Sequence, residues 1–132
     1  MNADRKTKIL VVEDDHLFLW SLDQFLKREG YDVRPAATGE LAFDMAQKES
    51  FDIVISDFHL PGLNGKELIQ KVKSLNPLTK SVLISAYQKE EMGSNDESLL
   101  NAYLNKPIEL RKLKRVLHDL TATTARSEAP RR

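Results

Sequence analysis

The chain has 132 residues, with Lys plus Arg and Asp plus Glu at 20 each, so its formal net charge is zero and no overall field draws it to nucleic acid or an anionic membrane. That length allows one domain with a substantial core, and the lack of cysteine excludes disulfides and thiolate metal sites and fits a reducing compartment. The opening MNADRKTK is polar, and the apolar run after it is far too short for a signal-peptide core or a membrane span, so a soluble cytoplasmic protein without a membrane partner is expected.

After a flexible lead over residues 1–7, Ile9-Leu10-Val11-Val12 reads as a strand covered on both faces, and it ends in Glu13-Asp14-Asp15. Asp15 can cap a helix in which Phe18, Leu22, Phe25 and Leu26 recur at helical spacing until Gly30 stops it. Tyr31 to Ala36 reads as a second strand, and Pro35 places it at a sheet edge. Thr38 caps a second helix reaching about Lys48, with Leu41, Ala42, Met45 and Ala46 on one face. Phe51 to Ser56 is the third strand, and Pro61, Gly62 and Gly65 turn the chain after it. From Gly65 a third helix turns Leu68, Ile69, Val72 and Leu75 inward until Asn76-Pro77 ends it, and Ser81 to Ile84 is a fourth strand closing at Ser85. The stretch YQKEEMGSNDESLLNA is broken by Gly93-Ser94-Asn95-Asp96, which predicts a short or interrupted fourth helix. Ala102 to Asn105 is a weak fifth strand leading into Lys106-Pro107. Leu110, Leu113, Leu117 and Leu120 then mark a last amphipathic helix, and residues 121–132, lacking an apolar stripe, read as a disordered tail or linker stub.

Strand and helix alternate five times, which predicts an α/β domain over residues 8–120 with a mostly parallel sheet and right-handed crossovers. In such a sheet, ligands bind at the carboxyl ends of the strands. Asp57 ends the third strand, Glu13-Asp14 follow the first, Ser85 ends the fourth and Lys106 follows the fifth, so all of them fall on one edge. Taken singly, each has a plainer reading: a cap, a turn-starter, a turn hydroxyl or a solvated ammonium. Taken together, Glu13, Asp14 and Asp57 cannot crowd while ionised unless their pKa values rise or a cation compensates them. A divalent ion with few protein ligands, Mg²⁺ or Mn²⁺, would do so. His16, His59 and His118 form no metal-binding pattern.

The blocks VVEDD, SDFHLPGLNG, LISAY and AYLNKP, in this order and spacing, resemble the receiver domain of bacterial two-component response regulators, over roughly residues 8–120. The resemblance implies a flavodoxin-like (βα)5 three-layer sandwich with a parallel five-stranded sheet of order 2-1-3-4-5. It implies that Asp57 is the phosphoacceptor, that Asp14, Asp57 and the main-chain carbonyl of His59 coordinate Mg²⁺, and that Glu13 acts on the metal through water. By the same resemblance Ser85 and Lys106 contact the phosphoryl group, Tyr103 is the aromatic ring of the switch, and Lys106-Pro107 is a cis peptide. His59 and Tyr87 occupy positions that border the path of hydrolytic water in the family, which points to Tyr87 as a shield of the acyl phosphate.

The implied partners are a sensor histidine kinase or a histidine phosphotransfer protein and an unidentified downstream effector, with a phosphorylation-dependent dimer as a further expectation. Leu17, Leu19 and Trp20 lie off the helical stripe and, with Pro107 and Ile108, form a candidate kinase-docking patch beside the acidic residues. No helix-turn-helix or second apolar segment follows Leu120, so direct nucleic-acid binding by this chain is not expected, and the domain reads as free-standing or as one part of a longer protein. Two rivals differ in testable ways. A haloacid-dehalogenase type of phosphatase needs an Asp two residues after its nucleophile, where this chain has His59. A receiver-like module that works without phosphorylation would not need the acidic set, Ser85 and Lys106 together.

Overall fold

The computed structural model describes residues 5–86 and 100–128, and in the last helix side chains as far as residue 122. In chain order the elements are β1 (Lys8–Val12), α1 (His16–Arg28), β2 (Asp32–Ala36), α2 (Gly39–Lys48), β3 (Ile53–Asp57), α3 (Gly65–Leu75), β4 (Lys80–Ser85), β5 (Ala102–Asn105) and α4 (Leu110–Glu128). All the strand pairs are parallel and the sheet order is β2-β1-β3-β4-β5. The expected fold class and strand order are therefore present. The interrupted helix predicted around residues 93–96 falls outside the described residues.

Alternation along the strands divides the core in two, because successive side chains on a strand point to opposite faces. Ile9, Val11, Ile53, Ile55, Val82 and Ile84 face one way and pack with Leu22 and Leu26 of α1 and Leu113 and Leu117 of α4. Leu10, Val12, Val54 and Leu83 face the other way, against Ala42 of α2 and Leu68, Ile69 and Val72 of α3. The continuous apolar runs in the sequence follow from this double coverage. The caps predicted at Asp15 and Thr38 are present, and α3 starts on a further one. Asp15 accepts from Leu17 N and Phe18 N, Thr38 Oγ1 accepts from Leu41 N at 3.0 Å, and Asn64 and Glu67 form a capping box.

Four details of the sequence reading change. The buried stripe of α1 is Leu19, Leu22, Asp23 and Leu26, with Phe18 and Phe25 flanking it partly buried. Two stripes shifted by one residue share the same period, so spacing alone could not say which was central. Leu41 is 47% exposed, because the small Ala42 beside it, fully buried, lets α2 lie close to the sheet and turns its neighbour outward. Leu75 and Leu110, the last residue of α3 and the first of α4, are also exposed. Finally, α4 runs on to Glu128 instead of giving way to a tail at 121. Residues 121–128 carry no Gly or Pro, and extending a formed helix avoids the cost of a new nucleus. Among the described residues no helix is long and apolar enough to cross a membrane.

The β3–α3 connection closes tightly on the end of β3. A Cβ placed on Gly65 would lie 2.2 Å from the carbonyl oxygen of Asp57 and 2.9 Å from Phe58 Cα. Both are backbone atoms and cannot swing aside. Gly65→Ala is expected to cost about 1–3 kcal/mol, the usual penalty of overpacking, measured by urea denaturation at neutral pH. An unchanged midpoint would show that the loop can yield.

Candidate functional site

Parallel register carries the chemistry-bearing residues to one edge, each a step along from its neighbour. Val12 pairs with Ser56, so Glu13 and Asp57 come side by side; Asp57 pairs with Ile84, and Ser85 with Asn105, so Lys106 follows next. Backbone bonds continue past the strands to fix these positions. Glu13 N–H donates to Ala36 O at 3.1 Å, Phe58 N–H to Ile84 O at 2.7 Å and Lys106 N–H to Ser85 O at 2.8 Å.

Glu13, Asp14 and Asp57 each offer a carboxylate oxygen within 4.8 Å of the others, the first and last buried and Asp14 exposed. Lys106 Nζ stands 3.2 Å from Asp57 Oδ2 and 3.2 Å from Glu13 Oε1. Its contact with Asp57 is a hydrogen bond, whereas buried Glu13 Oε1 meets Lys106 at the same distance as an ion pair and has no well-aligned hydrogen bond. The second Glu13 oxygen accepts Asp15 N–H at 3.0 Å, and Asp57 Oδ1 accepts His59 N–H at 3.3 Å. The ring of Phe18 lies 5.1 Å from Lys106 Nζ and gives the ammonium a cation–π neighbour.

Three carboxylates around one ammonium leave the pocket two negative charges in excess. The strain appears at Glu13. Burial pushes its carboxyl above the ordinary value and the charge of Asp57 adds to this, with the Asp15 amide and Lys106 only partly opposing. Burial pulls Lys106 down, but the hydrogen bond and charge of Asp57, joined by Glu13, outweigh it and hold the ammonium above its usual range. The all-oxygen donor set, the excess charge and the underused Glu13 Oε1 fit a hard divalent cation such as Mg²⁺.

The remaining expected residues are placed as follows. Ser85 is fully buried at the end of β4. Tyr103 is half-buried in β5 on the α2–α3 side of the sheet. The Lys106–Pro107 peptide is cis. In the proposed docking patch, Leu17 and Trp20 are 74% and 59% exposed and Pro107 is exposed, but Ile108 packs against the α1–α4 core. Leu19 is 8% exposed and belongs to that core, so it leaves the patch: the helix turns it onto the sheet with Leu22 and Leu26. Tyr87 lies outside the described residues. Sequence reasoning missed the contact of Phe18 with Lys106, since an aromatic at helical spacing carries no sign that a cation will meet it.

Because the folded state holds the Glu13 proton more tightly than the unfolded chain does, stability falls as pH rises from the unfolded value near 4.5 through the raised folded value. Glu13→Gln removes that cost and is expected to raise the melting temperature of the metal-free protein at pH 7, with little effect at pH 4. A lower melting temperature at pH 7 would mean that the attraction of Lys106 outweighs burial.

A sequence model described as the response regulator receiver domain matches residues 9–118. A cyclic di-GMP phosphodiesterase of Thermotoga maritima is 32% identical over 114 residues, 85% of this chain and 30% of that protein. Sporulation initiation phosphotransferase F of Bacillus subtilis is 30% identical over 92 residues, 70% of this chain and 74% of the relative. The chain spans less than a third of the length of the first relative and of a transcriptional regulatory protein from Klebsiella oxytoca. Among solved structures, a CheY-like receiver domain protein from Methanospirillum hungatei superposes with a TM-score of 0.83 at 30% identity, covering 92% of this chain and 98% of the other. The response regulator TrrA of Thermotoga maritima, solved in complex with Mg²⁺ and BeF, gives 0.79 at 27% identity over 86% of this chain and 98% of its own. A match running from the first strand into the last helix, on a sheet of this order, settles the kinship: this chain belongs to the response regulator receiver domain family.

Proposed function

We propose that the protein accepts a phosphoryl group on Asp57 in a Mg²⁺-dependent reaction and passes the change to a protein-interaction surface. The observation that carries this is the buried Asp57 carboxylate, bonded to Lys106 at 3.2 Å and grouped with Glu13 and Asp14. Asp14, Asp57 and the His59 carbonyl would hold the metal, with Glu13 acting through water, and Mn²⁺ could use the same ligands. Bound there, the ion neutralises charge on the transferring phosphoryl group.

This chain's own residues then have distinct tasks. An Asp57 carboxylate oxygen forms the new bond to phosphorus as the bond from phosphorus to the donor breaks, and the donor leaves with that electron pair. Lys106, already against Asp57, offers its ammonium to the incoming oxygens. The Ser85 hydroxyl donates to one of them, a contact that exists only after transfer. Contacts that differ between two states are what shift an equilibrium, so Ser85 and, beyond it, Tyr103 in the neighbouring strand are the proposed relay to the outer face of β5. The name of the Bacillus subtilis relative, a phosphotransferase, supports a phosphotransfer protein or a histidine kinase as the donor. On the donor side, the exposed Leu17 and Trp20 stand on α1 next to the acidic pocket and are the proposed docking anchors.

Incubation with Mg²⁺ and acetyl phosphate followed by intact mass measurement tests the central step. Wild type is expected to gain a single phosphoryl group and Asp57→Asn none; an unmodified wild type ends this reading and favours a module that works without phosphorylation. Trp20→Ala is expected to slow transfer from a cognate kinase by about tenfold, the loss of one aromatic anchor, with acetyl phosphate labelling unchanged. Equal loss in both assays would remove the docking role.

A further inference from the structure

The loop between β3 and α3, residues 58–64, carries the His59 main chain past Asp57, and part of its geometry is set from outside the site. Leu63 N–H donates to Glu40 Oε2 at 2.9 Å, across 23 positions of sequence. Glu40 is in the first turn of α2. Around that bond the two segments come close, most tightly where Gly39 meets the Leu63 main chain. A Cβ on Gly39 would lie 2.3 Å from the Leu63 carbonyl oxygen, and one on Gly62, whose φ is +72°, would lie 2.5 Å from Glu40 Oε2. From Leu63 the contacts continue inward: Asn64 and Glu67 close the capping box that starts α3, and Gly65 N–H donates to Phe58 O at 3.0 Å.

An acidic residue in a first helical turn has an ordinary explanation in the helix dipole. That explanation needs only a carboxylate near the helix end. It does not account for an oxygen aimed at the amide of a separate loop, with a glycine on each of the two segments where they touch. We infer that Glu40 is a positioning residue for the phosphoacceptor loop: by holding Leu63 N–H it keeps the His59 main chain ordered before a cation arrives at Glu13, Asp14 and Asp57. The inference rests on the metal-dependent reading above. Its physical basis is preorganisation, since a loop that must be ordered on binding charges that entropy against affinity.

Hydrogen bonds to a charged acceptor are among the stronger ones, but Glu40 is exposed and solvent reduces the gain. Glu40→Ala is therefore expected to weaken Mg²⁺ binding by about three- to tenfold, read by calorimetric titration of the folded protein with MgCl₂ alone. Glu40→Gln keeps an acceptor oxygen and should recover most of that loss. Thr38→Ala serves as the comparison, because it removes the α2 cap without touching the loop: its melting temperature should fall while its Mg²⁺ affinity stays at the wild-type level. Hydrogen exchange at the Leu63 amide should accelerate in Glu40→Ala and not in Thr38→Ala. Equal Mg²⁺ affinity in wild type and Glu40→Ala, or an unchanged Leu63 exchange rate, overturns the positioning role and leaves the function standing. A wild type that takes up no Mg²⁺ overturns both the metal-dependent reading and the coupling of Glu40 to it.

Discussion

Like charges forced together in a buried pocket set the terms for the rest of this molecule. Glu13 and Asp57 are almost wholly buried with one ammonium between them, and Asp14 adds a third carboxylate at the rim. Such a grouping costs free energy in the resting protein and survives only where the surrounding backbone cannot relax away from it. The five-stranded parallel sheet supplies that rigidity. Its central strands β1 and β3 are buried on both faces, and main-chain bonds hold the residues just past the strand ends to their neighbours. A sheet frayed at that edge would let the carboxylates separate, and the pull on a divalent cation would go with them.

Lys106 mediates between cost and use. Its pairing with Asp57 and Glu13 quiets part of the repulsion in the metal-free protein, yet it leaves Glu13 Oε1 without a directed partner. The pocket is thus neither self-sufficient nor open to collapse. In the proposed reaction the same ammonium is already close to the oxygen that bonds to phosphorus, so little reorganisation is needed as charge develops. Phe18 backs Lys106 with the face of its ring, which favours the charged form without competing for the carboxylates.

Much of this was legible in the residues. Apolar runs on both faces, the edge proline, the caps at Asp15 and Thr38, and the four strand-end motifs were enough to place Glu13, Asp14, Asp57, Ser85 and Lys106 on one edge, because parallel register converts sequence position into spatial neighbourhood. What was hidden has a common cause. Leu19 against Phe18, and Leu41 against Ala42, are choices of helix rotation by one residue, settled by how side-chain sizes fit the sheet and not by period. Residues 121–128 form helix without an apolar stripe, so no periodic signal marked them. Glu40 reaches a loop 23 residues away through a single main-chain amide, and amides leave no trace in a sequence.

Pro35 has a consequence for association. Ala36 O points to β1, where it accepts Glu13 N–H, so in a parallel ladder the backbone polar groups of Pro35 face the outer side of β2. The ring removes one of the two outward donors of β2, Val33 N–H being the other, and Arg34 beside it, paired with Asp32 and Glu49, adds charge to the same margin. That flank of the sheet is thereby made a poorer template for an added strand.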